Sequence, residues 1–200
     1  HAAMAGYALR ADKDVLVEKP MALDMNEARR LVDLAEGHSR ILMVGHVLVY
    51  HQAIREIERL VSTGELGKLR YIYASRLNLG KIRTEENALW SFAPHDIAIA
   101  LRILDALPDR VTCHGDAYLN RTVADQTMTC LEFPNHVEAY VFVSWLHPFK
   151  EHRLVIVGDR QTAVFDDTLA WGEKLSLYPH RLDWTHGRVP ITERAERMPV

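Results

Sequence analysis

Cysteine is nearly absent from this sequence, which excludes a disulfide-stabilised protein and a metal site built on cysteine pairs. Only Cys113 and Cys130 occur among the 200 residues, too few for a disulfide framework, and neither lies in a pair with metal-ligand spacing. His46 and His51 are five residues apart, which does not bring them to one face of a helix, and no cysteine or carboxylate accompanies them. The sequence therefore predicts a protein of a reducing, cytoplasmic compartment that binds no metal.

An excess of one charge and long apolar runs are also missing. The 24 basic and 27 acidic residues give a net charge of -3 and are interspersed along the chain, so no nucleic-acid partner is predicted. The longest apolar run, residues 41–50, is interrupted by Gly45 and His46 and is far shorter than the ~20 residues that a membrane span needs. The composition, 48% hydrophobic and 26% charged, is that of a globular protein.

A short apolar run at residues 15–17 ends in Glu18, Lys19 and Pro20, and the rest of the chain can be arranged around it. The run predicts a buried strand of a parallel sheet, which the proline cannot continue. Ligands of open α/β sheets bind outside the carboxyl ends of the strands, so Lys19 is expected to point into a ligand crevice. Pro20 restricts the preceding residue to extended geometry, so Lys19 should be held in place.

The segments around this run form a βαβ unit. A helix over residues 2–10 precedes the strand, and Asp24 with Glu27 predicts a capped helix that ends near residue 36. The run 41–44 predicts a second buried strand, bounded by Gly45. Residues 1–46 are therefore predicted to be the C-terminal portion of a Rossmann-type, doubly wound α/β domain.

Residues 47–200 have a different character and predict an α+β domain. A helix is expected over 51–62, and another from about Trp90 or Pro94 to Leu104, with strands making up most of the remainder. Turn signals between neighbouring runs predict hairpins, hence a mostly antiparallel or mixed sheet with helices on one face. Residues 188–200 show no final strand or helix, so truncation at the C-terminus is expected. The predicted strands are 69–76, 110–119, 124–133, 136–146, 153–157, 163–166 and 175–178.

The run 136–146 carries large apolar side chains on both of its alternating faces. A sheet with a helix on one side does not need apolar residues on the other, so we predict a subunit interface on the helix-free face and a homo-oligomer. Scattered aromatic residues on an exposed sheet are the alternative explanation.

The order of several short motifs resembles the Gfo/Idh/MocA family of NAD(P)-dependent oxidoreductases. The motifs are the strand ending in Glu18-Lys19-Pro20, the strand closing in Gly45-His46, the turn 64–67 and Pro94-His95-Asp96. The resemblance implies a dinucleotide-binding domain followed by a sheet-rich domain with substrate held between them. It also implies hydride transfer between nicotinamide and a hydroxyl carbon of a sugar, cyclitol or nucleotide sugar.

Carried over by this resemblance, Lys19 and His95 are the catalytic residues. Glu18, Lys19 and Pro20 would contact the cofactor, NAD or NADP. A histidine with a pKa near neutrality suits removal of the alcohol proton, and an ammonium would stabilise charge on the oxygen. The implied substrate contacts are Asn78, Arg83, Asn87 and Asp96.

Each of these residues also has a purely structural explanation. Lys19 could be a surface lysine after a strand, His95 could cap a helix that opens at Pro94, and Arg76 and Arg83 could pair with Glu85 and Glu86 on a solvated loop. The remaining histidines, among them His147, His152, His180 and His186, are interpreted as surface or hairpin residues.

Two departures from the family pattern leave a second function open. The family commonly has an aspartate four residues before the histidine, where this chain has Ser91. Asp96, the residue after the histidine, points about a third of a helical turn away from it. The Gly-x-Gly-x-x-Gly fingerprint does not occur in the 200 residues, so the resemblance implies that it precedes His1. The alternative is therefore a non-enzymatic binding or scaffold protein derived from a dehydrogenase.

Overall fold

The computed structural model describes residues 1–183 and 189–199, which divide into two compact units, His1–Val47 and Leu48–Val200. Of the predicted surface histidines, His186 lies outside the described residues. No helix in the described part of the chain is long and apolar enough to cross a membrane.

The first unit contains α1 (Ala2–Arg10), β1 (Val15–Val17), α2 (Met25–Gly37) and β2 (Leu42–Val44). The two strands pair in parallel, with Val15 beside Leu42 and Val17 beside Val44. The Asp24 side chain accepts a hydrogen bond from the Glu27 backbone N–H at 3.0 Å and caps α2, as the sequence predicts. This is the expected fragment of a Rossmann-type domain.

The prediction that both short strands are fully buried is wrong for one face. Val15, Val17, Leu42 and Val44 join the core formed with α1 and α2. Leu16 and Met43, which point the other way, are exposed. Successive side chains of a strand alternate in direction, and in the described chain helices cover only one face of this pair.

The second unit is built on a nine-stranded sheet with two longer helices. Its helices are α3 (Gln52–Ser62) and α4 (Ala88–Leu104), and short 3₁₀ turns occur at Val47–Tyr50, Pro134–His136 and Trp171–Glu173. The strands are β3 (Tyr71–Leu77), β4 (Arg110–Asp116), β5 (Gln126–Phe133), β6 (Val137–Ser144), β7 (Glu151–Val157), β8 (Gln161–Asp166), β9 (Leu175–Asp183), β10 (Val189–Thr192) and β11 (Glu196–Met198).

The sheet is mixed, as predicted. Its order is β10-β9-β8-β7-β3-β6-β5-β4, and β11 pairs with the beginning of β9. Among the described strands of this sheet, β3 and β6 pair in parallel and all other neighbours are antiparallel. Apolar residues of α3 and α4 share a core with alternate residues of the sheet, such as Ile72, Val141 and Ile156. The expected helix layer on one face is confirmed.

The structure decides between the two predicted starts of α4 in favour of the earlier one, and it overturns the expectation for the tail. The helix α4 begins at Ala88, because the Asn87 side chain accepts the Trp90 backbone N–H at 3.0 Å and caps it. Pro94 therefore lies inside α4, not at its start, and His95 does not cap it. The tail also continues the sheet, since β10 and β11 both pair with β9; Arg188 and Val200 themselves lie outside the described residues.

Candidate functional site

In the first unit, Lys19 and His46 follow two neighbouring parallel strands at their carboxyl ends. The Gly45 N–H donates to the Val17 carbonyl at 2.8 Å, so the pairing continues past the strands and brings residues 18–19 beside 45–46. Gly45 is buried, and a Cβ there would lie 3.2 Å from Glu18 Oε2. The Lys19–Pro20 peptide bond is cis. Lys19 thus occupies the sheet edge at which ligands of α/β folds bind.

His46 is a residue of this edge to which the motif reasoning gave no role in the site. Partial burial lowers the pKa of His46, and the nearby Lys19 ammonium lowers this pKa further. Its Nδ1 atom is buried and has no hydrogen-bond partner among the described residues. The available signal was positional, because His46 follows β2 as Lys19 follows β1 and parallel strands end at the same edge.

In the second unit, His95 lies on α4, one turn after Ser91. Residues four apart on a helix share a face. Ser91 therefore stands where the aspartate common in the family would lie beside the histidine. Ser91 is buried and His95 is partly buried. A serine hydroxyl can donate or accept a hydrogen bond but brings no charge to this face.

Asp96, the residue after His95, is committed to an ion pair in the interior. Its Oδ2 and Oδ1 atoms accept hydrogen bonds from Arg76 Nε at 2.8 Å and Nη2 at 2.9 Å. Both side chains are buried, with 2% of Asp96 and 6% of Arg76 exposed. The expectation that Arg76 pairs with Glu85 or Glu86 on a solvated loop is therefore wrong, because its place in β3 directs the side chain toward α4.

The four residues predicted to contact the substrate differ in the contacts that their side chains make within the protein. Asn78 directly follows β3 and is partly buried, and exposed Arg83 pairs with Glu86 at 2.9 Å. The cap at Asn87 and the ion pair at Asp96 occupy the side-chain oxygens named above. Asn87 and Asp96 thus already have structural partners, and the role of all four residues as substrate contacts stays a prediction.

Loops from several strands leave the sheet of the second unit at the end where β3 stops. Leu77 pairs with Ser144 and with Glu151, and Asp166 pairs with Arg153. The loops 78–87, 145–150 and 167–174 therefore meet at one end of the sheet, beside the Arg76–Asp96 pair. In the described part of the chain, no group of three or more His, Cys, Asp or Glu residues is arranged to hold a metal ion.

His152 corrects another sequence interpretation, since it is not a surface histidine. Its side chain is 15% exposed, its Nδ1 lies 3.2 Å from Arg76 Nη1, and the Phe92 ring packs edge-on against it. Burial, the Arg76 guanidinium and Lys150 lower the pKa of His152 to about 4. His152 is therefore neutral at physiological pH.

This low pKa predicts a loss of stability in mild acid. An unfolded histidine binds its proton near pH 6.5, whereas folded His152 does so near pH 4. The unfolded state therefore binds more protons between these values, and the contribution of His152 to stability, complete above pH 6.5, falls as the pH approaches 4. Denaturant unfolding at pH 7 and pH 5 should show a smaller difference in His152→Asn than in the unchanged protein. An equal difference would contradict the assignment.

Comparison with known proteins gives matches on both units. Residues 54–164 match the GFO/IDH/MocA C-terminal domain, and residues 1–46 match the oxidoreductase family with an NAD-binding Rossmann fold. The chain belongs to the GFO/IDH/MocA family. The resemblance inferred from the motifs is confirmed, and with it the expectation of a nicotinamide dinucleotide as the cofactor of the family.

Two curated proteins are similar to parts of this GFO/IDH/MocA chain. An uncharacterized oxidoreductase of Rhizobium meliloti is 29% identical over 170 residues, 81% of this chain and 51% of that protein. UDP-N-acetylglucosamine 3-dehydrogenase of Acidithiobacillus ferrooxidans is 31% identical over 118 residues, 58% of this chain and 36% of that protein. The chain thus spans about half the length, or less, of these curated relatives.

A solved structure shows the same fold. It is an inositol dehydrogenase homolog from Azotobacter vinelandii, complexed with NADH and myo-inositol. It superposes with a TM-score of 0.81 at 18% identity and covers 97% of this chain and 53% of that one.

Proposed function

We propose that this chain is part of an NAD(P)-dependent oxidoreductase that transfers hydride between nicotinamide and a hydroxyl-bearing carbon of a sugar, cyclitol or nucleotide sugar. The observation that carries the proposal is the family match over both units, with Lys19 at the carboxyl edge of the parallel pair and His95 on α4. The UDP-sugar relative and the myo-inositol complex support this substrate class.

The residues at the edge of the first unit fit one side of a dinucleotide. Gly45 leaves room next to the Glu18 carboxylate, and Lys19 and neutral His46 offer polar groups at the ends of adjacent strands. We assign contacts with the cofactor to Glu18, Lys19 and Pro20. The nicotinamide ring, when bound, supplies the hydride acceptor or donor.

We assign proton transfer to His95 and charge stabilisation to Lys19. Oxidation of a secondary alcohol removes the hydroxyl proton, which an imidazole accepts at neutral pH. An ammonium stabilises negative charge that develops on a reacting oxygen, and we assign this role to Lys19. Asn78 and Arg83, on the loop after β3, are assigned to the substrate.

The proposal predicts that the full-length protein binds NADH or NADPH and reduces NAD⁺ or NADP⁺ in the presence of a polyhydroxylated substrate. Calorimetry with each dinucleotide measures the first step. The absorbance of the reduced nicotinamide, followed with myo-inositol and UDP-N-acetylglucosamine, measures the second. Failure to bind either dinucleotide would contradict the enzyme and favour the scaffold alternative.

We further propose that the helix-free face of the sheet joins copies of this protein in a homo-oligomer. Tyr73, Tyr140 and Phe142 lie partly exposed on this face. The Tyr140 hydroxyl donates to Glu138, a bond that raises the pKa of Tyr140 to about 12 and keeps the phenol neutral.

A charge on this face should therefore dissociate the oligomer. Phe142→Lys is expected to lower the mass measured by light scattering, because an ammonium would have to be buried between subunits. Leu107→Lys, at an exposed position after α4, serves as the control. An unchanged mass for Phe142→Lys would exclude this face as the interface.

A further inference from the structure

In the second unit, a row of charged and polar side chains links α4 to the loop 167–174, which follows β8. Arg76 of β3 stands at its centre, with Asp96 on one side and His152 of β7 on the other. Asp167, after β8, lies 4.0 Å from His152 Nδ1 through its Oδ2 atom and 2.5 Å from Lys174 Nζ through its Oδ1 atom. The row therefore runs from the helical turn that carries His95 to the loop 167–174.

The hydrogen bonds of Arg76 in this row fix directions as well as distances. The Arg76 guanidinium donates two parallel hydrogen bonds to Asp96, which sets the plane of the carboxylate against the plane of the arginine. The third Arg76 nitrogen can only donate, so His152 Nδ1 must accept, and the His152 proton resides on Nε2. The Asp167 backbone N–H also donates to the His152 carbonyl at 2.9 Å.

Stability alone does not account for a buried pair of this kind. Replacing a buried ion pair by well-packed apolar residues of similar volume is often neutral or stabilising. Apolar residues cannot reproduce the two parallel hydrogen bonds by which the Arg76 guanidinium fixes the orientation of Asp96, the immediate neighbour of His95. If the pair has a role besides stability, removing it should change the orientation of His95.

We propose that Arg76, held by neutral His152, is a positioning residue that orients the His95 turn of α4 through Asp96. The inference rests on the proposed catalytic role of His95. Ser91 supplies no carboxylate to orient the imidazole from the preceding turn. The Arg76–Asp96 pair supplies a constraint from the sheet, through the residue that follows the histidine.

The test compares an apolar replacement of the pair with a change elsewhere on the same helix. In full-length protein, Arg76→Met combined with Asp96→Leu is expected to keep the unfolding midpoint close to the original value. Histidine-labelled NMR spectra of this variant should show a shifted or broadened His95 ring signal, identified by its loss in His95→Gln. Arg102→Gln, which breaks the exposed α4 pair with Glu58, should leave the His95 signal unchanged.

His152 gives a second, independent variant pair. Asparagine retains an acceptor for Arg76, so His152→Asn should preserve the His95 signal, whereas His152→Leu should alter it. Hydride transfer, where measured, should fall roughly 10- to 100-fold in the double variant, as for a displaced catalytic group.

The outcomes separate this inference from the proposed function. A folded double variant with an unchanged His95 signal would overturn the positioning role, whatever its activity. A changed signal in His152→Asn equal to that in His152→Leu would remove His152 from the mechanism. Hydride transfer that survives His95→Gln would instead refute the catalytic role of His95, and the spectra would still decide whether Arg76 orients its turn.

Discussion

Full-length protein carrying Lys19→Ala is expected to lose at least about 100-fold in turnover while remaining folded, because one preorganised charge at a reacting oxygen contributes on this order. Lys19 follows β1 at the carboxyl edge of a parallel strand pair, beside His46. Alanine removes the ammonium without changing either strand. The loss should appear in kcat more than in the affinity for the dinucleotide, since the charge develops during the reaction.

Lys13 provides the matched control for this prediction. It is an exposed lysine of the same unit, in the turn before β1. Lys13→Ala should retain full turnover, and circular dichroism should show both variants folded. Equal activity of Lys19→Ala and the unchanged protein would remove Lys19 from the chemistry and leave it a structural residue of the edge.

The second large effect is expected on stability, at Asp96→Ala. Removing one partner of a buried ion pair leaves the other charge without compensation, at a cost of about 3–5 kcal/mol. Arg76 would lose both hydrogen bonds to the carboxylate and keep its contact with His152. Urea or guanidinium unfolding measures the difference directly.

Glu58→Ala removes the partner of Arg102 and is the control for this measurement. Both side chains of the Arg102–Glu58 pair are well exposed, and such pairs contribute at most about 1 kcal/mol. A loss at Asp96→Ala no larger than at Glu58→Ala would mean that water reaches the Arg76 guanidinium, contrary to the burial described above.

Local patterns in the sequence were sufficient for most of the fold. Apolar runs and caps predicted α1, β1, α2, β2 and α3 within a residue or two, because these elements depend on near neighbours in the chain. The start of α4 could have been read from Asn87, but Pro94 offered a competing N-terminal signal. The strands β10 and β11 were missed, since these short segments depend on pairing with β9.

The site was less accessible to sequence reasoning than the fold. The motif placed Lys19 after a strand and His95 on a helix, but no local pattern connects Arg76 with Asp96, which are 20 positions apart on different elements. His152 is 76 positions from Arg76. An arginine and a histidine are normally assigned to the surface, and only their partners across the sheet make burial tolerable.

The position of β3 within the sheet also bears on how the chain is synthesised. β3 lies between β6 and β7, and both of its partners follow it by more than 60 residues. At ~5–20 residues per second on the ribosome, β3 emerges several seconds before either partner. During that interval its backbone groups and apolar side chains are unpaired, so the nascent chain should bind chaperones most strongly until β7 has emerged.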